Sequence, residues 1–194
     1  MSTLKVAAIN NPSAGSGGLA ISAAGNVTGA GLDLITTQSF SAVSSVSLDN
    51  CFSGDYDNYR VLVDVTSWPS LTTNENLRMR LRASGTDSTS ARYSYGGRFV
   101  NGAVQGGDVG EDSVATGFVV GSVDVYAGSA SEFTASDIML YGPFTTNKTK
   151  ITGLISGAYL SRHKGVYVGG GHNVTSAFDG ITIYPLSSTI TGTV

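Results

Sequence analysis

Leu77-Arg78-Met79-Arg80-Leu81-Arg82 alternates apolar and cationic side chains without a break. Side chains of a strand point to opposite faces with a period of two, so this run has one apolar face and one arginine face. A helix would scatter both sets around its axis. Upstream, Tyr59-Arg60-Val61-Leu62-Val63-Asp64-Val65 repeats the pattern, with Tyr59, Val61, Val63 and Val65 on one side. Paired antiparallel, the two runs would make the centre of a sheet with one buried side. Further strands would complete that sheet and cover it.

Working outward, strand patterns recur at 33–38, 43–48, 59–66, 77–83, 91–95, 117–126, 133–141, 148–156, 165–169, 179–184 and 189–194. Turn signals divide them: Asp49-Asn50, Ser53-Gly54-Asp55, Trp68-Pro69-Ser70, Ser84-Gly85, Ala127-Gly128 and Gly142-Pro143. No window sustains a helical apolar period beyond about two turns. Many short strands at this spacing predict a β-sandwich or jelly roll. No repeat of fixed period points to a solenoid or propeller.

Composition agrees. The 194 residues are 41% apolar, enough for one domain and an appendage. Charged residues are 13%, against roughly a quarter in an average domain. The 26 glycines and many Ser and Thr suit β structure with tight turns. A net charge of −3 offers no basic field for nucleic acid. Cys51 is the only cysteine, so no intrachain disulfide forms and an oxidising compartment is not implied. No signal-peptide pattern opens the chain and no stretch has the length of a membrane span, so membrane insertion is not expected. Three Asn-X-Thr triplets, at Asn26, Asn147 and Asn173, read as chance in a Thr-rich chain without a secretion signal.

The first 38 residues differ from the rest. Ser2 to Ile9 reads as a short strand, and the following run holds Gly15, Gly17, Gly18, Gly25, Gly29 and Gly31. Such a segment buries little apolar area, and its glycines raise the entropic cost of ordering it. Leu19-Ala20-Ile21 and Asn26-Val27-Thr28 around Ala24-Gly25 allow short strands in contact with other subunits; the alternative is a flexible leader. The predicted division is 1–38, an N-terminal attachment and oligomerisation segment rich in Gly, Ala and Ser, and 39–194, the sandwich.

Several pieces resemble a known group. They are Tyr59-Arg60-Val61, Leu77 to Asp87, Phe178-Asp179-Gly180-Ile181-Thr182-Ile183-Tyr184-Pro185 and Thr189-Ile190-Thr191-Gly192-Thr193-Val194. With the Met1–Ile9 opening and its Gly-rich sequel, they resemble β-sandwich modules of tailed-phage virion proteins, of the tail-fibre or structural type common in phages of marine bacteria. The resemblance covers most of the chain, least between 88 and 132. It implies a non-enzymatic part of the particle exterior, usually a homotrimer, attached through its N-terminal segment to other virion proteins. The role it implies first is a tail-fibre or adhesin-like module for host attachment. A capsid decoration or capsid-fibre protein shares the fold. In similar proteins the last strand continues into an aromatic and arginine-containing tail, whereas this sequence stops at Val194, which leaves the partner of the closing strand open.

Residues able to carry chemistry are few. Hydrolysis needs a positioned acid and base, or a nucleophile with a base. His163, in Arg162-His163-Lys164, and His172, after three glycines, lie in no nucleophile or metal motif and read as solvated or turn-capping. One cysteine makes no zinc cluster. A glycan-degrading enzyme with paired carboxylates is the third reading of function. The acidic stretches Gly54-Asp55-Tyr56-Asp57-Asn58 and Gly107-Asp108-Val109-Gly110-Glu111-Asp112 offer oxygens for calcium but lack the terminal bidentate glutamate of an EF-hand, and turn formation is the favoured reading. No catalytic residue, cofactor or metal ligand is expected.

Candidate surface-binding residues are Arg78, Arg80, Arg82, Arg92, Tyr93, Tyr95 and Arg98. Alternate arginines on a strand lie about 7 Å apart and repel unless neighbours answer them. Asp64 on the adjacent strand is a candidate neighbour, given a register that brings it opposite. The arginine face is either a ladder binding another subunit or an anionic glycan, or a solvated face with cross-strand ion pairs, the second being favoured. Around Arg92–Arg98, aromatic and guanidinium groups suit sugar binding. Core or inter-subunit packing of Tyr93, Tyr95 and Phe99 is at least an equal alternative.

Overall fold

A computed structural model describes residues 8–10, 18–21, 27–28, 32–68, 75–101, 108–123, 133–159 and 162–194. These residues contain strands and no helix. The chain divides into two compact units, Met1–Thr36 and Thr37–Val194.

The first unit holds β1 (Ala8–Asn10), β2 (Gly18–Ile21) and β3 (Val27–Thr28), joined as a three-stranded antiparallel sheet. Its short strands therefore pair with one another within the chain. The expected strand at 33–38 is not formed. Leu34 within it, and Leu32 just before it, are largely exposed.

The second unit is a sandwich. It contains β4 (Ser39–Val43), β5 (Val46–Leu48), β6 (Asn58–Ser67), β7 (Glu75–Ala83), β8 (Thr86–Asp87), β9 (Tyr93–Asn101), β10 (Asp108–Ala115), β11 (Phe118–Val123), β12 (Thr134–Tyr141), β13 (Lys150–Tyr159), β14 (Arg162–His172), β15 (Gly180–Pro185) and β16 (Ile190–Thr193). An eight-stranded sheet runs β10-β9-β14-β13-β12-β6-β16-β4, and a five-stranded sheet runs β11-β7-β15-β5 with β8 beside β7. Among the described residues, neighbouring strands in the two sheets pair antiparallel.

The alternation in β6 and β7 is as the sequence predicts: Tyr59, Val61, Val63 and Val65 are buried, as are Leu77, Met79 and Leu81. Their pairing is not. β6 hydrogen-bonds to β12 and β16, whereas β7 bonds to β11 and β15. The two strands lie in opposite sheets and share the core between them. Period-two patterning identifies a buried face but not what lies across it. Two such strands can join edge to edge or oppose each other as layers.

The core between the sheets joins Val63, Val65, Ile138, Leu140 and Ile151 of the larger sheet to Leu77, Met79, Leu81, Phe118 and Ile183 of the smaller. Trp68, just past β6, is fully buried with them. Each such side chain stabilises the fold by about 1.5–3 kcal/mol relative to exposure. The β7–β8 connection is a two-residue turn in which Ser84 and Gly85 both take positive φ, the conformation that matches strand twist in a tight hairpin. Closure of the larger sheet also differs from expectation. The run 43–48 splits between β4 and β5, which belong to different sheets. The closing strand β16 lies between β6 and β4, and Val194 exchanges backbone hydrogen bonds with Gln38. The stretch read as an acidic turn is instead strand β10 from Asp108 onward, paired to β9; Gly107 lies outside the described residues.

Candidate functional site

The arginine row of β7 lies on the outer face of the smaller sheet, between β11 and β15. Arg82 is the most enclosed of its pairing arginines, with its side chain 12% exposed. Its Nε donates to Asp49 Oδ1 at 2.8 Å, and Nη1 donates to Thr182 Oγ1 at 2.8 Å. It also reaches the Asp87 carboxylate and the Gly85 carbonyl. Thr182 Oγ1 in turn donates to Asp87 Oδ1 at 2.7 Å. Burial works to lower the Arg82 pKa, but the Asp49 hydrogen bond and the Asp87 and Asp49 charges outweigh it and hold the guanidinium above its ordinary value.

Arg80 lies 4.1 Å above the Tyr184 ring centroid and donates from Nε to the Thr116 carbonyl at 2.9 Å. Its Nη1 stands 3.8 Å from Asp87. Arg78 occupies the same row and is half-buried. The repulsion expected along this row is therefore answered by Asp87 and Asp49, not by Asp64. Asp64 lies exposed on β6 in the other sheet, opposite Thr193 and Ala135. On this face Arg80 and Arg82 are cross-linked to neighbouring strands and turns.

The other predicted site residues separate. Arg92 is exposed at the foot of β9. Tyr93 is fully buried: its hydroxyl donates to the Ser88 carbonyl at 2.9 Å and accepts from Leu81 N at 3.1 Å. Burial pushes the Tyr93 phenol pKa up to about 12. Tyr95 is buried two residues on, so neither tyrosine belongs to a surface site. The parity of β9 decides this, because its odd positions 93, 95 and 99 face the core and Arg98 faces out.

His172 corrects another expectation. It is 1% exposed, not solvated. Its ring stands 4.5 Å from that of Tyr93 and 5.1 Å from that of Phe178, and Nε2 is 3.1 Å from Ser88 Oγ. Burial pushes its pKa below the ordinary imidazole value. His163 is exposed in the β13–β14 hairpin, with its ring 5.4 Å from that of Phe133. In the loop 54–58, Gly54 and Asp55 form a turn, and the Asp55 amide donates to Ser53 Oγ at 3.2 Å. Among the described residues no cluster of His, Cys, Asp and Glu could hold a metal ion.

The outer face of the eight-stranded sheet is built differently. Register places Arg98, Tyr167, Leu154, Asp137 and Leu62 directly opposite one another across β9, β14, β13, β12 and β6. Tyr167 is 64% exposed, and Leu62 and Leu154 are more than half exposed. An open trough lies along one side of the Tyr167–Leu154 ridge, lined also by Gly96, Arg98, Asp137, Met139, Thr152 and Gly169. A second runs on the other side, over Ala135, Ser156 and Gly165. Asp137 is held by Arg60, whose Nε donates to Oδ1 at 2.8 Å while Nη2 reaches Oδ2. That hydrogen bond raises the Arg60 pKa and lowers that of Asp137. Thr152 shares a 3.1 Å hydrogen bond with the Tyr141 hydroxyl.

Of the predicted binding residues, only Arg98 lies on this face. Tyr167, Leu154, Asp137 and the glycines were not singled out. The signal available was Val166-Tyr167-Val168 inside a strand pattern, which turns one aromatic side chain away from the core. No known family model, curated protein or solved structure matches the chain.

Proposed function

We propose that the chain is a non-enzymatic structural module of a phage particle, displayed on the particle exterior as a tail-fibre or adhesin-like homotrimer. The observation that carries this reading is its two-part construction: a small Gly-rich unit, Met1–Thr36, precedes a larger sandwich, Thr37–Val194. The sequence resemblance supplies the role, with the first unit as the mount and the sandwich as the displayed part. His172 and the Arg82–Asp87–Asp49 group support a non-catalytic reading, because their bonds and packing hold the fold. Capsid decoration is the second reading, since the same sandwich serves either mounting point.

The test is location. Gold-labelled antibody against the sandwich should decorate the tails of particles purified from the cells that make the protein. Label on the capsid shell would favour the second reading, and absence from particles would overturn both. Sedimentation equilibrium of the full chain should give three times the monomer mass of 19.9 kDa.

A further inference from the structure

We propose that the trough beside Tyr167 is a saccharide-binding site; this rests on the attachment role above and names its ligand class. Tyr167 is the most exposed aromatic side chain among the described residues. Neighbouring strands lie about 4.8 Å apart, so Arg98, one strand away in register, stands within side-chain reach of anything lying on the ring.

The floor of the trough is open on both sides of the ring. Gly165 and Gly169 occupy outward positions of β14, on either side of Tyr167. A Cβ added at Gly165 would meet nothing within 4 Å, and one at Gly169 only the Ile151 carbonyl at 3.8 Å. Neither has the positive φ that calls for glycine. Gly97 is the contrast: a Cβ there would strike the Tyr167 backbone, so close packing requires that glycine. Glycine in a strand interior weakens it, and a β-branched residue would fit an exposed sheet position better. At Gly165 and Gly169 packing offers no reason for the loss. What the two glycines supply is an open channel beside an aromatic ring.

The lining fits a pyranose. Such a ring has an apolar C–H face to lie on Tyr167 and a rim of hydroxyls to bond Arg98, Thr152 and the Arg60–Asp137 pair. The Arg60 partner leaves the Asp137 carboxylate locally neutralised, so the trough admits neutral as well as acidic sugars. A protein partner fits less well. Stable interfaces bury about 800 Å² on each side around an apolar centre, and here glycine channels interrupt the exposed apolar groups.

The test uses the full chain on a printed array with neutral hexose and N-acetylhexosamine oligosaccharides in one arm and uronate-containing ones in the other. The wild-type chain should be retained by at least one arm, the uronate arm alone if Arg98 dominates recognition. Tyr167→Ala and Gly169→Val should each weaken that retention at least about tenfold, the first by removing the ring and the second by filling the floor. Gly169→Val should melt no lower than wild type. Leu186→Ser, which removes an exposed apolar side chain elsewhere, should bind as wild type. No retention on either arm, or equal retention by Tyr167→Ala, would overturn the saccharide site while particle labelling still judges the attachment role separately. A change of oligomeric state in Gly169→Val would also overturn it, by making this face a contact between copies.

Discussion

The two outer faces of the sandwich put their polar groups to opposite uses. On the smaller sheet, three arginines in a row look made for a ligand, yet Arg82 spends its donors on Asp49, Asp87, Thr182 and Gly85, and Arg80 lies against Tyr184. On the larger sheet, Arg60 and Asp137 answer each other, and Tyr167, Leu154 and Leu62 are left in solvent. A row of charges in a sequence therefore does not by itself make a face of free donors. What matters is whether neighbouring strands bring partners into register. Around β7 they bring Asp87 and Thr182, and around Tyr167 they bring Arg98 and Leu154, which leave the ring uncovered.

The largest expected effect tests the parity on which this contrast depends. Met79 is fully buried beneath the arginine row. Met79→Asp should abolish cooperative folding, because an unpaired buried carboxylate costs several kcal/mol. Arg80→Ser should remain folded, with a loss of about 1 kcal/mol in urea denaturation. Equal losses would mean that β7 presents its faces the other way.

Arg82→Ser should cost about 1.5–3 kcal/mol, the range for hydrogen bonds to charged groups. Glu75, at the start of β7, is buried and accepts hydrogen bonds from Leu186 N at 2.8 Å and Ser187 N at 3.1 Å. Glu75→Ala should cost about 2 kcal/mol by leaving those amides without this acceptor. Denaturant midpoints at constant slope would check both.

A smaller effect follows from His172, which anchors the end of β14 next to Tyr93. Its folded-state pKa is depressed by burial, so the unfolded chain takes up a proton first as pH falls. Stability from this group is thus complete above its ordinary value of 6.5 and declines as pH drops through that value, levelling below the folded pKa. Melting temperatures from pH 8 to pH 5 should fall in wild type and fall less in His172→Phe. Identical profiles would remove His172 as the cause.

Much of the fold is legible in the sequence, for a physical reason. Alternation in 59–66 and 77–83 reports burial of every second residue, and the structure buries those residues. Sheet membership is a different matter, because β6 and β7 look alike whether they bond or oppose each other. β10 escaped because Asp108, Gly110, Glu111 and Asp112 are poor strand formers, and only pairing with β9 supplies the context. The arginine row was legible as a face, but its partners Asp49 and Asp87 come from turns whose approach depends on the folded backbone. The Tyr167 trough was least legible, since four strands, β9, β14, β13 and β12, meet there and none of them carries a motif.

The smaller sheet's outer face holds the fold, and under the saccharide proposal the larger sheet's outer face recognises the ligand. The most direct measurement takes Arg82→Ser and Tyr167→Ala through one thermal melt and one oligosaccharide array. A crossed result is expected. Arg82→Ser should melt lower yet keep wild-type retention below its melting temperature. Tyr167→Ala should melt within about 0.5 kcal/mol of wild type, as exposed substitutions do, and lose retention. Retention lost in Arg82→Ser and kept in Tyr167→Ala would contradict the account and return recognition to the arginine face.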